Sequence, residues 1–244
     1  MNFITFGTYN YETQIKRITS EAHTFGCFKT ITGIYPHMIE KTFLDKHETF
    51  MQNNKRGHGF WIWKPQIVLQ SLNSIPDGEI LIYADSGCSM NRFGIDKLND
   101  YVNKAKYQSK TGIVCFQMPQ HLEEQWTKQK LFDVLDCESY KKTPQIHATT
   151  FIIKKSPESM KLVEEWVKLS QIYDLIDESD ISEQISPPFI EFRHDQSIWS
   201  LLNKKHDSLV IQKDETYPPN NRNPIWGTRI RSDTTTPYPH LSKA

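Results

Sequence analysis

The chain has 244 residues, and its 29 Lys and Arg are balanced by 29 Asp and Glu, so the net charge is zero. A polynucleotide binder carries a basic excess or a basic stripe, and the absence of both sets nucleic acid aside as a partner. The composition is 37% hydrophobic and 12% aromatic. No run comes near the roughly 18 apolar residues of a membrane span, so a cytoplasmic protein without a transmembrane segment is expected.

"NFITFG" opens the chain as a strand closed by Gly7, without the basic region and long apolar stretch of a signal peptide. An amphipathic helix follows over 12–22, and "FKTITGI" is a second short strand. Residues 36–56 are more polar and read as helical. "WKPQIVLQSL" places Pro65 in the first turn of a helix, where its missing N–H costs nothing. "SIPDG" then turns the chain into "EILIYADSGCS". There Ile80 to Ala84 read as a strand buried on both faces, running straight into Asp85, Ser86 and Gly87.

"GIDKLNDYVNKAK" is the next helix and "TGIVCFQM" another buried strand. After "EEQWTKQKLFDVL" comes the strand "IHATTFIIKK", with Ser156 as N-cap and Pro157 as first residue of a further helix. In that helix Val163, Trp166, Val167 and Ser170 repeat at i, i+3, i+4 and i+7, so one face packs on the sheet. A helix "DQSIWSLLNKK" and a strand "SLVIQ" close the regular part. Alternating strands and helices predict an α/β sheet, and the lack of repeats or linkers predicts one domain. Cys27, Cys88, Cys115 and Cys137 form no metal-ligand spacing, and a reducing compartment fits them.

Three segments carry side chains that chemistry uses. In "GFWIWKP", Trp61 and Trp63 suit sugar or base rings, and Lys64 near a helix start suits phosphate. Both Trp equally suit core anchors. Asp85 is either part of a plain strand-to-turn junction or a carboxylate at the carboxyl end of a central strand, where open α/β sheets bind ligands. In "FRHDQSIWSLL", Asp195 is either an N-cap or a functional group, and His194 either a structural or a functional one. Two titratable groups and an adjacent Gln196 exceed what a cap requires.

The run "GHGFWIWKPQIVLQSLNSIPDGEILIYADSGCSM" closely resembles a segment of bacterial and large-virus glycosyltransferases of the GT-A, nucleotide-diphospho-sugar transferase type. In those, a Trp-Lys-Pro helix precedes a strand ending Tyr-x-Asp-x-Gly-Cys. "EEQWTKQKLF", "IHATTFIIKK", "RHDQSIWSLL", "DETYPP" and "PIWGTRIR" follow in the same order, from about residue 3 to 231 in all. The resemblance implies a single GT-A (Rossmann-like) domain over 1–231, with a central mostly parallel sheet flanked by helices and a flexible tail over 232–244.

It further implies sugar transfer from a nucleotide-sugar donor, a UDP-sugar favoured, to a hydroxyl of a glycan or other acceptor. Thr8 and Tyr9 would meet the base and ribose, with Trp63 and Ser86 completing the nucleotide set. Asp85 would stand for the first carboxylate of the Asp-x-Asp motif, which holds Mn²⁺ or Mg²⁺ against the departing diphosphate. Gly87 occupies the place of the second carboxylate, which leaves metal dependence open. Lys64, Lys128, Arg229 and Arg231 are the alternative diphosphate clamp.

Asp195, with His194, is the expected catalytic group: a general base if the transfer inverts, an orienting or stabilising group if it retains. "PIWGTRIR" reads as a lid-like segment to about Arg231. Two competing readings belong to other classes. A haloacid-dehalogenase-type phosphohydrolase needs an Asp where Gly87 stands. A catalytically inactive nucleotide-sugar- or glycan-binding module of the same fold would need neither second carboxylate nor base.

Overall fold

The computed structural model describes residues 1–179, 181 and 187–230. In chain order its strands are β1 (Asn2–Phe6), β2 (Thr30–Ile34), β3 (Ile80–Ala84), β4 (Ser89–Met90), β5 (Ile113–Leu122), β6 (Pro144–Ile146), β7 (Thr150–Lys154), β8 (Leu209–Ile211) and β9 (Ile225–Trp226). The helices are α1 (Glu12–His23), α2 (Lys41–Asn53), α3 (Gly57–Phe60), α4 (Trp63–Asn73), α5 (Ile95–Tyr107), α6 (Glu123–Trp126), α7 (Gln129–Leu135), α8 (Pro157–Ser170), α9 (Tyr173–Ile176) and α10 (His194–Lys205).

β1 lies between β2 and β3 and runs parallel to both. β7 is antiparallel to β3 and β5, β6 is antiparallel to β5, and β8 is parallel to β5. Thus β1, β2, β3, β5 and β8 point one way and β6 and β7 the other, giving a mostly parallel α/β sheet. β1 and β3 are buried at every position, as strands covered on both faces must be. α1 and α5 cover one face through Ile18, Leu98 and Tyr101, packed with Phe3, Ile82 and Val114. α4, α8 and α10 cover the other through Ile67, Val163, Trp166 and Trp199, packed with Ile4, Leu81 and Phe151.

Local signals behave as their chemistry requires. Ser156 accepts from the backbone N–H of Ser159 at 3.3 Å and caps α8, with Pro157 first in the helix. The stripe Val163, Trp166, Val167 and Ser170 is buried throughout. Two segments are divided, the second of them where a single strand was expected. "EEQWTKQKLFDVL" breaks into α6 and α7 because Thr127 is extended and its hydroxyl donates to Glu123 Oε2 at 2.8 Å. "IHATTFIIKK" is interrupted at 147–149, where the backbone N–H of Asp85 donates to the Thr149 carbonyl at 2.9 Å. Among the described residues no helix is long and apolar enough to cross a membrane.

α1 sits close on β2 because Gly33 has no side chain: a Cβ there would lie 2.3 Å from Ile15 Cγ2. Gly33→Ala is expected to lower stability by about 1–3 kcal/mol through overpacking, read by urea unfolding with an unchanged m value. A change within about 0.5 kcal/mol, typical of an open surface, would contradict this seating of α1.

Candidate active site

Three elements converge on one ammonium. β3 ends at Ala84 and delivers Asp85, while Lys64 sits in the first turn of α4 and Asp195 in the first turn of α10. Lys64 Nζ lies 3.2 Å from Asp85 Oδ1 and 3.4 Å from Asp195 Oδ2, and donates to the Ala148 carbonyl at 3.2 Å. Lys64 and Asp195 are each 3% exposed, whereas the Asp85 side chain is 37% exposed. The cluster therefore shows one carboxylate to solvent and keeps the other behind the lysine.

Burial works against the charge of Lys64, but Asp195 and Asp85 outweigh it and hold the ammonium above its ordinary value. Burial pushes the Asp195 carboxyl up to about 7, with Lys64 opposing and Asp85 reinforcing the rise. Tyr83, two residues before Asp85 and on the same strand face, donates its hydroxyl to Asp85 Oδ1 at 2.5 Å. Burial and the adjoining Asp85 carboxylate raise the phenol well above its usual value, so it stays a donor.

The turn after Asp85 is held from two sides. Arg17 of α1 donates to the carbonyls of Ser86 at 3.0 Å and Cys88 at 2.7 Å, and pairs with Glu21 at 2.8 Å. Glu21 in turn accepts from the Met90 N–H at 2.8 Å. From the other side β9 pairs with β4, and Ile230 N–H and the Thr228 hydroxyl both donate to the Gly87 carbonyl at 2.9 Å. A Cβ on Gly87 would lie 3.5 Å from Arg229 Cα and 3.6 Å from the Ile230 carbonyl. The direction in which a second carboxylate would extend therefore faces this C-terminal strap.

Thr8 and Tyr9 lie just past β1, at the same sheet edge as Asp85. Tyr9 is 63% exposed, and its hydroxyl is 2.9 Å from His37 Nδ1, with the two ring planes 8° apart. Tyr35 lies nearly parallel to both rings at 5.8 and 6.0 Å. Tyr35 and His37 had escaped the sequence reading; their signal was an aromatic and an imidazole directly after the strand that pairs with β1. Arg229 is exposed, with a left-handed φ of 51°.

Other expected site residues are placed elsewhere. Trp63 is a core residue: its ring stacks on Phe6 at 3.7 Å and its Nε1 donates to the Gly57 carbonyl at 2.8 Å. Ser86 is buried. Lys128 is fully buried, donates to the Asp177 carbonyl at 3.2 Å and lies 5.0 Å from the Phe192 ring centre. His194 stacks on Phe60 at 4.6 Å, and its Nδ1–H donates to the Ile176 carbonyl at 2.7 Å.

Burial drives the His194 imidazole down to about 3, so it stays neutral, and its backbone has a left-handed φ of 48°. His194 and Asp195 thus do not form one catalytic pair. Asp195 does not cap α10 either, since Arg193 holds the N-cap position and no side chain caps the helix. Arg231 and the tail over 232–244 lie outside the described residues.

The donor set does not fit the expected divalent cation. Among the described residues no three His, Cys, Asp or Glu side chains gather around one point. Asp85 offers a single exposed carboxylate beside a fixed ammonium, and Asp195 lies behind that ammonium. Mg²⁺ wants an octahedron of oxygens, and any cation here would be repelled by Lys64.

No protein-family model and no curated protein matches the chain. Among solved structures it is similar to mouse xyloside xylosyltransferase 1 in its apo form, at 11% identity and a TM-score of 0.46 over 89% of this chain and 87% of that one. It is similar to a glycosyltransferase involved in glycosylation of the major capsid of PBCV-1, at 10% identity and a TM-score of 0.48 over 96% and 95% of the two chains. It is also similar to the galactosyltransferase LgtC in complex with donor and acceptor sugar analogues, at 10% identity and a TM-score of 0.42 over 83% and 70%.

The raised carboxyl of Asp195 has a consequence for stability. Its folded value of about 7 exceeds the 3.8 of the free side chain, so the fold favours the protonated form. This contribution is complete below 3.8 and is lost as pH rises to about 7. Asp195→Asn removes it, so the wild-type advantage in Tm over this variant should shrink as pH rises through that window. Thermal melts showing a constant difference would mean that Asp195 ionises as freely as a surface carboxylate.

Proposed function

We propose that the protein is a glycosyltransferase that moves a sugar from a nucleoside-diphosphate sugar, a UDP-sugar first, to a hydroxyl of a glycan or other acceptor. The observation that carries this reading is the exposed Asp85 carboxylate, fixed by Lys64 and Tyr83 at the carboxyl end of a central strand. That is where open α/β sheets bind ligands. The ordered run of motifs from the Trp-Lys-Pro helix to "RHDQS" supports the same reading.

The spacing of the edge also supports it. β2, β1 and β3 are neighbours at about 4.8 Å each, so the segment after β2 stands about 10 Å from the turn after β3, with the segment after β1 between them. A nucleoside spans that distance, with its base on the stacked rings of Tyr9 and His37 and its diphosphate at the Asp85 turn. Base stacking on an exposed tyrosine is sequence-tolerant, because every base has a π-face.

In the transfer, the acceptor oxygen bonds to the anomeric carbon. The bond to the diphosphate breaks, and its electron pair leaves on the diphosphate. The acceptor proton passes to a carboxylate within hydrogen-bond reach. Asp85 is the exposed one and is assigned the contact with substrate. Asp195 is assigned to positioning: it holds Lys64, and through Lys64 it fixes Asp85.

Transfer assays with a panel of nucleotide-sugars test this assignment. Asp85→Asn should lower turnover by about 10²- to 10⁴-fold, the usual contribution of a positioned proton-transfer group. A folded Asp85→Asn protein with wild-type transfer would take Asp85 out of the mechanism.

A further inference from the structure

The chain just before α4 is left-handed over a whole turn. Gly57, His58, Gly59, Phe60 and Trp61 have φ of 57°, 54°, 85°, 53° and 61°. In His58, Phe60 and Trp61 this backbone crowds Cβ against the following carbonyl. His194, directly before Asp195, is left-handed too. Of the other left-handed non-glycine residues among those described, Arg229 stands on the strap, and Asp136 and Asp207 lie just past α7 and α10. A left-handed residue is an ordinary way to end a helix. The unexplained strain is therefore gathered at the entries to the two helices that carry Lys64 and Asp195.

The two strained segments are packed on each other. The buried His194 ring stacks on Phe60 at 4.6 Å, with the planes 17° apart, and lies 5.7 Å from the Trp61 ring. The Ile176 carbonyl fixes the same imidazole by accepting from Nδ1–H at 2.7 Å. On the other side the turn is folded tightly onto the start of α4. Trp63 Nε1 donates to the Gly57 carbonyl at 2.8 Å, and a Cβ on Gly57 would lie 2.3 Å from the Trp61 ring. The Lys64 N–H itself donates to the Trp61 carbonyl at 2.9 Å. The backbone N–H groups of residues 58–62 all donate to carbonyls of residues 54–59, so the turn offers a ligand no row of free donors.

We propose that Phe60 and His194 are positioning residues, whose stacked rings lock the two left-handed segments together and so set Lys64 against Asp195 behind Asp85. The catalytic consequence rests on the glycosyl-transfer reading above. Phe60 precedes Lys64 by four residues and His194 adjoins Asp195, so the ring stack and the ion pair join the same two stretches of chain. A right-handed backbone at either place would cost less locally but would redirect the helix start that follows it. The strain persists because stack and ion pair together over-determine the geometry.

Two variants of the full chain test this by removing the stack. His194→Asn keeps a residue that tolerates the left-handed region and can still donate to the Ile176 carbonyl. Phe60→Leu keeps the apolar burial and loses the ring. Measured well below each variant's own Tm, kcat for transfer should fall by about tenfold to a hundredfold while both KM values stay within about threefold. In crystal structures of these variants, Lys64 Nζ should have left hydrogen-bond reach of Asp195 or of Asp85.

A lower Tm with wild-type kcat and an unmoved Lys64 would reduce the stack to packing and overturn the inference. A raised KM with unchanged kcat would overturn it as well, because that marks a substrate contact. If one variant fails to fold, the other decides by the same two readouts. A wild-type protein that transfers from no nucleotide-sugar would remove the glycosyltransferase reading, and the place of Lys64 in the variant structures would then decide the positioning role alone.

Discussion

The burial of the Lys64 ammonium is the constraint on which the rest of the site depends. Removing a charge from water costs several kcal/mol unless it is paired and hydrogen-bonded, and Lys64 has two carboxylates and a carbonyl around it. Meeting that demand requires the start of α4, the end of β3, the start of α10 and the bend between β6 and β7 to arrive at one place. A hydrophobic cluster of similar volume would hold those elements at least as well. The acids and the base are therefore better explained by what the edge does than by what the fold needs.

The cluster continues inward as a hydrogen-bonded path. The Ala148 N–H donates to Gln196 Oε1 at 3.2 Å, and Gln196 Nε2 donates to Gln145 Oε1 at 2.7 Å. Gln145 donates to Glu123 Oε2 at 3.2 Å, and Glu123 is paired with Lys204 at 2.7 Å. Glu123 is fully buried, so this second ion pair anchors α10 against α6 and β6. With Arg17 and Glu21 beneath the Asp85 turn and the strap above it, the exposed carboxylate has little freedom to move. Such fixing on rigid elements suits the transfer proposed above, because misplacement of a reacting group by an ångström lowers a rate steeply.

Much of this could be read from the residues alone, and the failures have physical causes. The apolar run Ile80 to Ala84 ending in Asp85 identified a central strand and its carboxyl end, because a strand covered on both faces leaves no other pattern. The helix stripe of α8 and its Ser156 cap were legible for the same local reason. The link through Lys64 was not, because its partners lie far along the chain in both directions and burial of a lysine leaves no periodic trace.

His194 was misplaced because a left-handed backbone at a non-glycine residue cannot be foreseen from composition. Trp63 looked like a ring for a ligand, but Phe6 on the adjoining strand supplies its stacking partner. The rings of Tyr35 and His37 gain meaning only from the parallel register that places Ile34 opposite Phe6.

The most direct test is a crystal structure of the protein grown with UDP, or with whichever nucleoside diphosphate binds most tightly. The account predicts the base against the Tyr9 ring and the diphosphate over the Asp85 turn, with Lys64 still between its two carboxylates. A nucleotide bound instead in the groove between β2 and α4, lined by Thr30, Thr32, Gln70 and Ser74, would contradict it.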